Sequence, residues 1–123
     1  MVKTKKRWRV LKDFKKGKFW FLIGVDNWSI ELQRSEFKSL YLLLLRINEQ
    51  LLVIKNELMD EESIILELEQ LPWYIKLEGK KNEWSLRFVF ESQDQTRSFE
   101  MYWPIPIAQN LFYEIKKMWE SMD

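Results

Sequence analysis

The sequence contains no cysteine and no histidine. The first absence excludes a disulfide framework and any thiolate metal site. The second removes the commonest general base and the commonest metal ligand. Glycine and proline are scarce, three of each in 123 residues. There is accordingly no Gly-rich phosphate loop, no nucleophile elbow and no linker long enough to separate two domains. Long hydrophobic runs are missing too. The longest uncharged apolar run in the main helix is Leu40 to Leu45, far short of the about 20 residues that span a bilayer. The basic start MVKTKKRWRV is not followed by the apolar stretch and small-residue cleavage site of a secretory signal. Together these absences predict a cytoplasmic, non-enzymatic protein without a cofactor, with no catalytic residues, no metal site and no membrane segment.

Charged residues at 32% and apolar residues at 46% describe a folded, globular chain, and its length fits a single domain over residues 1–123. Its centre is Ser35 to Met59, SEFKSLYLLLLRINEQLLVIKNELM. Phe37, Leu40, Tyr41, Leu44, Ile47, Leu51, Ile54 and Leu58 recur there at the three-and-four spacing of an amphipathic helix. Leu42, Leu43, Leu45, Leu52 and Val53 widen the stripe, which predicts a helix covered on more than one side. Ser35 is the expected N-cap, with Glu36 favourable to the helix dipole.

Before the helix come three predicted strands. Arg7 to Phe14 places Trp8, Val10, Lys12 and Phe14 on one face; Phe19 to Val25 reads as buried on both; Trp28 to Gln33 alternates with Trp28, Ile30 and Leu32 inward. The first two form a hairpin across Lys15-Lys16-Gly17-Lys18. After the helix, period-two alternation predicts four more strands: Ile64 to Glu69, Trp73 to Glu78, Trp84 to Glu91 and Phe99 to Trp103. Pro104 and Pro106 end that sheet and introduce a last helix from Ile107. The expected fold is α+β: two antiparallel β-sheet–helix halves in tandem, βββα then ββββα.

Charge is distributed unevenly. Residues 1 to 18 hold nine Lys or Arg against one acid, a net of +8, which leaves −7 for the remainder and +1 overall. Such a basic end favours a polyanion partner, although the two ends can equally attract one another within the fold or across a dimer. Lys and Arg interleaved with aromatic rings are the equipment of single-strand binders, which track phosphates and stack bases. The candidate nucleic-acid-binding residues are Arg7, Arg9, Lys12, Lys15, Lys16, Lys18 and Trp20, with Arg7, Arg9 and Lys15 as phosphate contacts and Trp20 as a stacking platform. Lys5 and Lys6 extend the patch unless residues 1–6 form a disordered basic tail. Arg87 and Arg97 with Tyr74 and Tyr102 are a weaker candidate patch, against plain cross-strand pairing of Arg87 with Glu78 or Glu100. Asp60, Glu61 and Glu62 lack the spacing of a calcium loop and read as a solvated turn. The competing function is a protein-interaction or homo-oligomerisation module. Seven Trp, among them Trp20, Trp73, Trp103 and Trp119, and five Met exceed what a small core needs and suit a docking surface. Rings exposed beside Lys15 to Lys18 favour nucleic acid; rings on an uncharged face favour a protein.

The stretches RWRVLKD, WSIEL leading into SEF, LMDEE and the tryptophan-bearing strands after them resemble a small cyanobacterial family of unknown function, over nearly the whole chain. The order of two antiparallel sheets, each followed by a helix, resembles the fold of the Whirly plant regulators. That resemblance implies single-stranded DNA as a ligand. The Whirly binding motif KGKAAL is absent; here Gly17-Lys18 stands in KKGKFW, without the apolar tail.

Overall fold

The computed structural model describes residues 2–4, through their backbone, and 7–122. Eight strands form two four-stranded antiparallel sheets, each in sequential order. The first holds β1 (Val2–Thr4), β2 (Trp8–Lys12), β3 (Phe21–Val25) and β4 (Trp28–Leu32). Helix α1 (Arg34–Lys55) connects it to the second, made of β5 (Ile64–Gln70), β6 (Trp73–Lys80), β7 (Glu83–Glu91) and β8 (Ser98–Trp103). Helix α2 (Ile107–Glu120) follows. This is the α+β arrangement expected of the sequence, with one short strand added at the first sheet's edge. Val2, Lys3 and Thr4 pair with Leu11, Val10 and Arg9, so backbone pairing reaches into the basic lead; Met1, Lys5 and Lys6 lie outside the described residues.

The second sheet follows its apolar alternation closely. Trp73, Ile75 and Leu77 meet Phe90, Phe88 and Leu86 in register, and all six are buried. A slip by one residue would turn that whole set to solvent, which is why the register is unambiguous. On the opposite face Glu67, Lys76, Arg87 and Tyr102 line up across the four strands. Arg87 settles over the Tyr102 ring at 4.9 Å, and Tyr74 stands opposite Val89.

The helices fill the space between the sheets. α1 lies against β5 and β6, while α2 packs on β7 and on β2 of the first sheet. Phe21 of β3 stacks on Phe37 of α1 at 3.9 Å, and Trp119 of α2 closes on both at 6.5 and 6.2 Å. Three elements thus share one aromatic cluster, and the cores of the two halves are continuous. Of the residues that widen the stripe of α1, Leu43 is buried, but part of the outer face stays open. Val53 is 78% and Leu52 55% exposed, and Leu42 is exposed as well.

The start of α1 also differs from expectation. The N-cap is Gln33, not Ser35, and Glu36 at the third helical position accepts the Gln33 backbone N–H at 2.8 Å. That acceptance satisfies a cap donor and fixes the start at Arg34. At the other end the helix stops at Lys55 with Asn56 as C-cap, short of Met59. The acids that follow are engaged by lysines: Asp60 with Lys81 at 3.0 Å and Glu61 with Lys80 at 2.7 Å. Glu62 accepts the Met59 backbone N–H.

Candidate functional site

The loop from Asp13 to Trp20 joins β2 to β3 as a protruding knuckle. It is closed at its base by the Asp13 N–H donating to the Trp20 carbonyl at 2.8 Å. Inside it the Asp13 carboxylate accepts the Lys15 backbone N–H, and Gly17 takes a φ of +54° that a side chain would resist. The Trp20 indole N–H donates to the Gly17 carbonyl at 2.8 Å, so this ring is pinned across the loop and only partly accessible. Phe14 leans on it at 5.0 Å and is 53% exposed. The sequence pattern puts Phe14 on one face with Trp8, Val10 and Lys12, but β2 ends at Lys12 and the alternation lapses with it. Trp20 is therefore the brace and Phe14 the open ring.

The seven candidate residues divide sharply. Arg7 forms a two-pronged pair with Asp26 at 2.9 and 3.0 Å, which raises the guanidinium's pKa and lowers that of the carboxyl, chiefly through the hydrogen bond. Arg9 lies across Gly24, where a Cβ would collide with its guanidinium, and donates to the carbonyls of Asp26 and Trp28 at 3.1 and 3.0 Å. Lys16 pairs with Glu31. These three cations hold the first sheet's loops together. Lys12 stands 5.4 Å from the Phe14 ring centre. Lys15 and Lys18 are exposed, and neither ammonium pairs with a carboxylate among the described residues. Lys12 thus stands beside the open Phe14 ring, Lys18 lies 5.5 Å from the centre of the neighbouring Phe19 ring, and Lys15 is exposed on the same loop.

Lys18 and Phe19 also form one wall of a cleft of about 340 Å³ between the two halves. Its floor is the start of α1, with Ser35, Glu36 and Ser39; its far side is the β7–β8 turn and the Leu71–Pro72 corner. The buried Glu36 carboxylate takes the Arg97 guanidinium on both oxygens, at 3.0 and 2.8 Å. The other arm of Arg97 donates to the Glu31 carbonyl at 2.7 Å, and its plane lies over Phe19 at 4.7 Å and Phe90 at 5.3 Å. The sequence groups Arg97 with Arg87 on the second sheet's outer face. It instead binds β4, α1 and the knuckle's base to the second sheet. Partners 61 residues apart leave no sequence signal.

The β7–β8 turn that carries Arg97 is organised by Asp94. Its Oδ1 accepts the Ser92 hydroxyl at 2.8 Å, the Thr96 hydroxyl at 2.7 Å and the Thr96 N–H at 3.1 Å. Those bonds, Thr96 first, lower its pKa to about 2, against ~3.9 for an unperturbed Asp. A folded-state value below the unfolded one means that the contribution is complete above the unfolded pKa. It is lost as pH falls through the folded pKa. The turn should therefore stay formed well below pH 4 and loosen towards about pH 2. An NMR titration should show the Asp94 carboxyl carbon and the Thr96 amide moving together at that low midpoint; a midpoint near ~4 would contradict the bonding described.

Two antiparallel sheets closed on a pair of packed helices define an α+β protein with a basic knuckle beside a polar cleft at the junction of its halves. The chain belongs to the family described as a domain of unknown function, DUF1818, whose profile matches residues 3–118. It is similar to a protein of unknown function, assigned to the DUF155 family, from Prochlorococcus sp. NATL2A. The two are 34% identical with a TM-score of 0.89, over 97% of this chain and 98% of that one. No curated protein matches the chain. Among the described residues, no helix is long and apolar enough to cross a membrane.

Proposed function

We propose that this protein is a non-enzymatic binding module for single-stranded nucleic acid, and that the knuckle between β2 and β3 is its contact surface. The observation that carries the reading is the exposed Phe14 ring, braced on Trp20 with Lys12 against it, on a loop that also carries the exposed Lys15 and Lys18. An open ring offers a stacking face to any base, and lysines beside it can follow the adjoining phosphates. The resemblance of the element order to the Whirly regulators supports the same reading. Arg7, Arg9 and Lys16 are occupied within the fold: Lys16 ties the knuckle to Glu31 of β4, while Arg7 and Arg9 brace the β3–β4 turn at the other end of the hairpin.

Fluorescence anisotropy with a labelled single-stranded oligonucleotide tests the proposal. Affinity should fall steeply between about 50 and 200 mM salt as counterions return to the phosphates. Phe14→Ala should cost about 1 kcal/mol or more of binding. The Lys15→Ala/Lys18→Ala double variant should flatten the salt dependence, by ~0.7 of a logarithmic slope for each phosphate no longer neutralised. No binding at the lower salt would refute the reading.

A second reading is favoured by one observation, the uncovered outer face of α1 with Leu42, Leu52 and Val53 exposed. Such a face suits association with a protein partner or a second copy. Sedimentation of the wild type against Val53→Glu would separate a self-associating protein from a monomer.

A further inference from the structure

We infer that the cleft receives one unpaired base of the bound strand and selects bases that carry an exocyclic amino group; this rests on the nucleic-acid reading above. Lys18 belongs to both surfaces, standing on the knuckle and lining the cleft. A strand whose phosphate meets Lys18 therefore has its next base at the cleft mouth. The volume of about 340 Å³ lies at the small end of the ~300–1,000 Å³ of ligand pockets, which suits one flat ring with its sugar. Leu71, 75% exposed, and Pro72 give that ring an apolar edge.

The polar groups decide what kind of ring. Arg97 cannot serve as an anion site, because both its arms are committed to Glu36 and to the Glu31 carbonyl. The two carboxylates lining the cleft, Glu36 and Asp94, disfavour a phosphate inside it. Both oxygens of Glu36 already accept, Oε1 from Arg97 and the Gln33 N–H and Oε2 from Arg97. Asp94 differs. All its bonds to Ser92 and Thr96 fall on Oδ1, and Oδ2 accepts none from another described residue. A carboxylate oxygen can only accept, so its complement is an N–H donor such as the amino group of cytosine, adenine or guanine. Uracil and thymine would set a carbonyl against it. Ser35, Ser39 and Gln93 line the same space, and their side chains make no hydrogen bond to the other described residues. They are available for the remaining edge atoms of a splayed base.

Oligonucleotides of deoxycytidine and of deoxyuridine, about 12 nucleotides long, differ at the base's 4-position in the amino group and carbonyl that Asp94 would read. Anisotropy titrations at one salt concentration should give about tenfold tighter binding of the deoxycytidine strand. Asp94→Asn keeps an oxygen for the turn and puts an NH₂ donor where Oδ2 was, so it should reverse the preference. A merely structural role for Asp94 would not. Ser39→Leu, which fills the cleft, should abolish the preference and leave the salt-dependent affinity of the knuckle in place. Equal binding of both strands, or an unchanged ratio in Asp94→Asn, would overturn the cleft assignment alone. Failure of both strands to bind would overturn the knuckle reading with it.

Discussion

Gly79→Ala should destabilise the protein by about 4 kcal/mol, lowering its thermal midpoint by on the order of 10 °C or more. Gly79 lies near the end of β6, paired with Ile64 of β5 on one side and Trp84 of β7 on the other. Its φ is +151°, a region that L side chains avoid, and residues held there against preference cost ~1–3 kcal/mol. Steric conflict adds to that. A Cβ at this position would sit on the Glu83 carbonyl oxygen and 2.7 Å from the Trp84 Cα. Both are backbone atoms of the neighbouring strand, so no rotamer change relieves the clash. The hairpin would have to open where Trp84 enters the core against Phe112. Gly17→Ala is the matched control. It also starts from positive φ, at +54°, but a Cβ there meets nothing within 4 Å, so only the left-handed penalty of ~1–2 kcal/mol applies. Urea unfolding of the two variants separates the contributions. Equal losses would mean that the contact with β7 relaxes freely.

What the sequence reveals and conceals follows the range of the interactions. The strands of the second sheet are legible because Trp73, Ile75 and Leu77, and then Leu86, Phe88 and Phe90, alternate at a strict period of two with residues that, Val89 apart, carry a polar group. That pattern is local and carries its own register. The extent of α1 is readable to within a few residues, since its apolar stripe outlasts its hydrogen bonds by a turn and Leu58 still packs on the core beyond Lys55. β1 is not readable, because an edge strand borrows its order from the strand it pairs with and needs no pattern of its own.

The site is harder. A run of lysines and arginines shows how much positive charge is present and nothing of where it is spent. Arg7 and Arg9 look like Lys15 and Lys18 on paper, yet their donors are consumed by Asp26 and by two carbonyls. Backbone acceptors have no sequence signature at all. Phe14 and Trp20 exchange roles for a related reason: which ring is braced depends on the Gly17 carbonyl, whose direction is set by the turn. The cleft combines side chains from the β2–β3 loop, the start of α1 and two turns of the second sheet, a juxtaposition that exists only once the halves are docked.

Arg97→Ala should cost about 3 kcal/mol of stability, because it strands Glu36. The Glu36 side chain is only 10% exposed, and without the guanidinium its carboxylate would retain a single strong donor, the Gln33 N–H. Breaking a buried pair from one side costs ~3–5 kcal/mol. The partial exposure of Arg97, 27% of its side chain, lets water relieve the lone carboxylate and sets the expected loss at the lower end. The loss also includes packing, since the guanidinium is the layer between Phe19 and Phe90. Arg97→Lys should recover only part of it, because a single ammonium cannot hold both Glu36 oxygens and the Glu31 carbonyl at once. The decisive variant is Glu36→Gln/Arg97→Met. It removes both charges, retains an oxygen for the Gln33 N–H and keeps a long side chain between the rings. A neutral replacement of a buried pair is often nearly isoenergetic, so the double variant should be more stable than Arg97→Ala despite carrying more changes. Urea denaturation, which leaves ionic interactions unscreened, is the measurement. An Arg97→Ala loss below about 0.5 kcal/mol would place the pair with ordinary surface salt bridges, and docking of the halves would then rest on apolar packing, the Phe21, Phe37 and Trp119 cluster and the contact of α2 with β2 included.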